Sequence, residues 1–145
     1  NYRMTDIQAA LGNSQASRLG EIVMERNRQL NNYKVLIEDN NLPINILKIP
    51  DNVVSAVHLA VVRLNEYNPK KHLDLFNFMR SNGIGVQVHY SPVHLQPFYR
   101  KMGFREGNFP KAEKYERSAF SIPLFPGLTE EQQLKVVEIL RQGLK

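Results

Sequence analysis

Residues 5–39 read TDIQAALGNSQASRLGEIVMERNRQLNNYKVLIED, and how this stretch is read decides the architecture. Thr5, with Gln8 three residues on, is a capping-box pattern in which each side chain satisfies the other residue's free backbone N–H. Apolar positions Ile7, Ala10, Leu11, Leu19, Ile22, Val23, Leu30, Tyr33 and Ile37 then recur at mostly helical spacing. The spacing predicts a helix from Asp6 to about Asp39. At 1.5 Å per residue it would be about 50 Å long, whereas a domain of this size should be about 35–40 Å across. Such a helix overhangs its own domain. Gly12 and Gly20 are its weak points, each costing ~1 kcal/mol against Ala, so a break or kink near Gly20 is the competing reading.

Beyond Asn40-Asn41 the period changes. Leu42 to Ile49 reads as a short strand closed by Pro50, and Ser55 to Leu64 as a clearer one. Asn68-Pro69 supplies an N-cap and a proline at the first helical position. Leu73, Phe76 and Met79 carry the turn periodicity, and Gly83 ends a helix over about 69–82. Ile84 to Tyr90 alternates as a strand and ends at Pro92. Phe109-Pro110 opens a short helix to about Ser118, and Ser121 to Leu124 is a short extended piece. Thr129 with Gln132 caps a last amphipathic helix with Val136, Val137, Ile139 and Leu140 on its buried side. This order predicts a small layered α/β (α+β) domain: residues 1–40 as a long linking helix, residues 41–145 as a three- or four-stranded sheet with helices packed on it.

The 145 residues suffice for one domain or part of one. Cysteine is absent, which excludes disulfides, thiolate metal sites and a cysteine nucleophile. The longest apolar run, Leu59-Ala60-Val61-Val62, is far below the ~20 residues that span a bilayer. The first residues show no signal-peptide pattern, and the expectation is a cytoplasmic protein. Lys and Arg total 19 against 14 Asp and Glu, a net charge of +5. That excess is spread along the chain, with no basic stripe for nucleic acid.

Among four histidines, His89 and His94 stand five apart across a strand end and a Pro-containing loop. No Cys, Asp or Glu joins them between Val88 and Tyr99, so a metal site is not expected. His89 reads either as a polar residue finishing a strand or as a ligand contact, since α/β sheets place such groups at strand ends. The segment from His89 to Tyr99 mixes donors, aromatic faces and two prolines, which suits a pocket for a polar ring or a braced loop with its aromatics in the core. His58, inside an apolar run, reads as a hydrogen-bonded structural residue, and His72, in a helix's first turn, as exposed. Asn1, Tyr2 and Arg3 put an amide and a guanidinium beside a helix N-terminus, a phosphate-binding arrangement or simply a capped helix start.

Three segments in order, Asn1 to Gly12 (NYRMTDIQAALG), Gly83 to Tyr99 (GIGVQVHYSPVHLQPFY) and Ser121 to Thr129 (SIPLFPGLT), closely resemble the C-terminal part of the DegT/DnrJ/StrS sugar-nucleotide aminotransferases, of the pseudaminic-acid and spore-coat polysaccharide type. The resemblance implies a pyridoxal 5'-phosphate enzyme of fold type I: a large cofactor domain, then a small domain joined through a long helix. In such enzymes a lysine of the large domain holds the cofactor as a Schiff base. That lysine would lie upstream, leaving this chain inert alone. Residue by residue, the resemblance makes Asn1 a contact for the cofactor phosphate in the neighbouring subunit's site and Arg3 a contact for the substrate diphosphate. It puts His89 and Tyr90 near the sugar, with His94 in the same motif. Ser55-Ala56-Val57-His58 departs from the aromatic residue often seen in the family just before this histidine. The implied whole is a homodimer that transfers an amino group, with glutamate as donor, to a nucleotide-linked keto-sugar. The rival is a stand-alone α/β binding or regulatory module without catalysis.

Overall fold

The computed structural model describes residues 2–145; Asn1, and with it the expected cofactor-phosphate contact, lies outside the described residues. Six helices and four strands follow in chain order: α1 (Asp6–Ala16), α2 (Leu19–Asp39), β1 (Ile44–Ile46), β2 (Ala60–Leu64), α3 (Pro69–Ser81), β3 (Gln87–Val88), α4 (Pro97–Lys101), α5 (Pro110–Glu116), β4 (Ala119–Ile122) and α6 (Glu130–Gly143). The mixed α/β class is as expected. The strands form one sheet in the order β1-β2-β4-β3, with every neighbouring pair antiparallel.

The predicted continuous helix is two helices. The break falls at Ser17-Arg18, just before Gly20, and local hydrogen bonding accounts for it. The Ser17 hydroxyl donates to the Ser14 carbonyl at 2.9 Å, and the Arg18 N–H reaches Gln15 O instead of the carbonyl four residues back. Helix α2 then ends on Asn41 at φ 50°, where Asn41 N–H donates to Glu38 O and Leu42 N–H to Ile37 O. Helix α3 ends the same way on Gly83 at φ 75°, with Gly83 N–H on Arg80 O and Ile84 N–H on Met79 O. Both are Schellman closures, which need a residue that tolerates the left-handed region.

Three predicted strands are shorter than expected. Of 42–49 only Ile44–Ile46 pairs. Of 55–64 only Ala60–Leu64 pairs, because the carbonyls before it are taken by side chains of α2. Asn27 Nδ2 donates to Ser55 O at 2.8 Å, and Arg26 donates to His58 O at 2.9 Å and Val57 O at 3.3 Å. Of 84–90 only Gln87 and Val88 pair, against Ser121 and Phe120. Two residues further that ladder would set Gly85 against Pro123, which has no N–H to give. The paired strand near 121–124 is shifted to Ala119–Ile122.

Register divides the sheet into two faces. Pairings Ile44↔Leu64, Ile46↔Val62, Val62↔Phe120 and Ala60↔Ile122 turn these residues to the core. There they pack with Leu30, Tyr33 and Ile37 of α2, Leu75 and Met79 of α3 and Val136, Val137 and Leu140 of α6. Each such side chain contributes roughly 1.5–3 kcal/mol on burial. Helix α6 ends hard against α3: a Cβ at Gly143 would sit 2.7 Å from Leu75 Cδ1 and Phe78 Cδ1. The opposite face carries Val61, Ser121 and Gln87 in one row. Functional groups gather there.

Candidate functional site

Strand β3 is two residues long, and the chain leaves the sheet at His89. By strand alternation His89 falls on the same face as Gln87 and its partner Ser121. Its ring folds back onto β4, with Nε2 2.7 Å from Ser121 Oγ. His89 is only 8% exposed, and its Nδ1 is buried without a partner. Burial first, and the neighbouring His58 second, hold the His89 imidazole below the ordinary histidine value, so it is neutral at pH 7. Tyr90 follows with its ring edge-on at 4.7 Å and 72% exposed. Both residues line a cleft of about 510 Å³ walled by Leu59, Val61, Pro92 and Tyr115. The cleft is an apolar trough whose lining includes a neutral imidazole and a phenol, suited to a flat or ring-shaped polar ligand.

His94 serves a different structure. It lies in the 3-10 turn Val93–Leu95, buried, with Nε2 2.8 Å from Glu113 Oε1. The same carboxylate accepts the Gly107 N–H at 2.9 and 3.0 Å and the Phe109 N–H at 3.3 Å. The Gly107 bond above all, and His94 after it, hold Glu113 below the usual carboxylate range. The aromatic residues beyond it form an open, apolar hollow of about 390 Å³ lined by His94, Tyr99, Phe104 and Phe109. Phe98 is 68% exposed. The 89–99 aromatics therefore do not fill the core as one reading had it. They face outward or line hollows.

Two histidines differ from expectation. His72 is buried, its Nε2 3.1 Å from Ala119 O and its ring tilted over Phe120 at 5.7 Å. The turn that carries it faces the start of the interior strand β4, not solvent. His58 is exposed, and its part in the fold is its carbonyl, which takes the Arg26 guanidinium. Arg3 is exposed ahead of α1 and is not among the residues lining the His89 cleft. Thus the structure brings His89 and Tyr90 together, sets His94 in an adjoining hollow, and leaves Arg3 apart. Ser121 and Glu113 escaped the sequence reading as partners. For Ser121 the signal was there, in the alternation that pairs it with Gln87; Glu113 lies 19 residues from His94, beyond any local spacing rule. Among the described residues no group of His, Asp and Glu is placed to hold a metal ion, and no helix is long and apolar enough to cross a membrane. Every lysine is exposed or half-buried.

This chain shares its small antiparallel sheet, backed by α2, α3 and α6, with the Streptococcus pneumoniae protein Spr1654, solved in its PLP form. The two superpose with a TM-score of 0.90 at 26% identity, over 97% of this chain and 36% of that one. The fold is that of a domain in an aminotransferase. The chain belongs to the DegT/DnrJ/EryC1/StrS aminotransferase family, whose model matches residues 1–141. It is 33% identical to the pleiotropic regulatory protein of Geobacillus stearothermophilus, over 95% of this chain and 36% of the relative. With the UDP-4-amino-4,6-dideoxy-N-acetyl-beta-L-altrosamine transaminase of Campylobacter jejuni it shares 32% identity over 99% of this chain and 37% of the relative. It therefore spans little more than a third of the length of the relatives it matches.

Proposed function

We propose that this chain is the C-terminal, substrate-facing domain of a pyridoxal-phosphate aminotransferase that acts on a nucleotide-linked keto-sugar, with glutamate as amino donor and a homodimer as the working form, in the cytoplasm. Residues 1–40 link it to the cofactor domain, and 41–145 form the small domain. The observation that carries the reading is the cleft in which neutral His89 and exposed Tyr90 stand side by side, on a chain of this family. The cofactor supplies the electron sink for amino transfer when bound, and a lysine outside this chain holds it. No lysine here is buried, so none offers the desolvated amine such a bond needs. The chain's own residues do other work. Asn1 contacts the cofactor phosphate in the neighbouring subunit's site, and Arg3 grips the substrate diphosphate as a guanidinium fork. His89 and Tyr90 orient the sugar ring, and His94, locked to Glu113, keeps the loop beside it in shape.

In the complete enzyme, Arg3→Ala should raise KM for the nucleotide sugar with kcat nearly unchanged, because a diphosphate is held equally before and during the reaction. His89→Ala should lower kcat/KM by roughly 10- to 100-fold, an orientation loss. If His89→Ala leaves sugar binding normal and stops amino transfer, the histidine moves a proton and the orienting role is wrong. The 145-residue chain alone, mixed with pyridoxal phosphate and borohydride, should give no stoichiometric adduct at a single lysine. A single specific adduct sinks the reading of an inert domain. The regulatory role in the name of the Geobacillus relative favours a regulatory rival. Absence of amino transfer to any nucleotide-linked keto-sugar by the complete protein would support that rival.

A further inference from the structure

We infer that the aromatic hollow beside the cleft is a binding site for an uncharged aromatic ring that carries a hydrogen-bond donor, with His94 Nδ1 as the acceptor. Its volume of about 390 Å³ lies in the range of small-molecule pockets. His94, Tyr99, Phe104 and Phe109 give it flat walls, with the Phe109 ring 4.8 Å from the His94 ring and 6.1 Å from that of Phe104. Such faces and edges suit a further ring. No lysine, arginine or carboxylate lines the hollow to favour a charged guest.

The polar anchor follows from what holds the His94 ring. Its Nε2 lies 2.8 Å from Glu113 Oε1, on a carboxylate that also accepts the Gly107 and Phe109 N–H groups. Those bonds, with His94, hold Glu113 below the usual carboxylate range, so it is ionised at pH 7 and can only accept. Nε2 therefore carries a proton, and in the neutral ring Nδ1 is a lone pair. The buried side-chain atoms without a partner among the described residues are Gln29 Oε1, the Tyr33 hydroxyl and His89 Nδ1. His94 Nδ1 bonds no protein group either, yet stands outside that buried set, so part of it reaches the surface. His94 is only 7% exposed, and the hollow is the cavity it lines. A lone pair among apolar walls favours a ring that brings an O–H or N–H. A free phenolic compound offers that chemistry, and so does the N–H edge of a nucleobase. Val93 and Ala112 line the hollow and the His89 cleft alike, which puts a base site beside a sugar site. The nucleobase source rests on the proposed function; the hollow and its acceptor do not.

Phenol and toluene are the probes, alike in shape and different in one donor. In ring spectra of the 145-residue chain, neutral His94 should be the Nε2–H tautomer. Phenol should move its Nδ1 signal together with the Phe104 and Phe109 ring signals, and toluene the phenylalanine signals alone. His94→Phe should weaken phenol about 2- to 10-fold, the worth of one neutral hydrogen bond, and leave toluene within about 2-fold of wild type, which also shows that the hollow survives. A neutral Nδ1–H ring, an Nδ1 signal indifferent to phenol, or equal losses for both probes overturns the inference. Should His94→Phe fail to fold, the wild-type spectra decide alone. In the complete protein phenol should still reach the hollow, and its exclusion there overturns the site. Uridine, added to that complex, separates the two sources. Displacement of phenol assigns the hollow to the base of a nucleotide-linked substrate. Its failure assigns the hollow to a free phenolic compound, and leaves the aminotransferase reading to the kinetics of Arg3→Ala and His89→Ala.

Discussion

Helices α1 and α6 begin with the same device and end in opposite circumstances. In α1 the Thr5 hydroxyl accepts Gln8 N–H at 3.3 Å while Gln8 Oε1 accepts Thr5 N–H at 3.0 Å. In α6 Thr129 and Gln132 repeat the pair at 3.2 and 2.9 Å. Yet α6 buries Gln133, Val136, Val137 and Leu140, and α1 buries nothing. Ile7 is 84% exposed and Leu11 62%. A cap is a local bargain between neighbours in sequence and forms wherever its residues fall. Burial needs a second surface, which this chain supplies to α6 and not to α1.

Leu140→Ala tests that contrast where the effect is largest. The side chain is fully buried on α6, which packs against both α2 and α3, so the substitution should cost about 2–5 kcal/mol, read from urea unfolding midpoints. A cost below about 1 kcal/mol would mean that α6 is not the core element it is described as. Next comes acid. His72, buried against β4, is held below its ordinary value chiefly by burial. The unfolded chain therefore takes up more protons than the folded one as pH falls through about 6.5. Stability should be full above that pH, decline below it, and stop declining from this source once pH passes the lower folded value. His72→Gln should flatten the slope without removing it, because His89 shifts in the same direction. An unchanged slope between pH 7 and 5 contradicts the burial of His72.

Helix starts and stops were legible because their chemistry is local: Thr5, Asn68 and Thr129 all cap as their side chains predict, and Gly83 closes α3. Strand lengths were not, because pairing depends on what lies across the ladder. Nothing within 55–59 announces that Asn27 and Arg26 will occupy its carbonyls. The site was half legible. His89 and Tyr90 sit at a strand end as their sequence neighbours suggested, whereas the burial of His72 and the His94–Glu113 pair come from contacts distant in sequence. The break in the first helix was foreseen at a glycine and came from a serine instead.

The caps themselves give the next smaller effect and sharpen the comparison. Thr129→Ala should cost the domain about 1 kcal/mol, visible in the unfolding midpoint, because α6 cannot fray without opening the core. Thr5→Ala removes the same two bonds, yet should leave the midpoint in place and only reduce helical signal and amide protection in residues 6–16. Equal midpoint shifts for the two variants would show that α1 folds with the core after all.

The smallest effect on stability belongs to the α1 stripe, and it separates folding from association. Ile7 and Leu11 stand four apart on one side of α1, close in sequence to exposed Tyr2 and Met4, so they form an apolar strip that none of the described residues covers. A side chain that is exposed in the folded and unfolded states alike loses little when shortened. The double variant Ile7→Ser, Leu11→Ser should therefore change the unfolding free energy of this chain by no more than about 0.5 kcal/mol per site. The same strip should draw copies of the chain together, or bind a hydrophobic dye, and the double variant should abolish both. Sedimentation of the wild-type chain as a monomer at high concentration, with no dye bound, would show that the strip has no partner to seek, and the contrast between α1 and α6 would then be one of solvation alone.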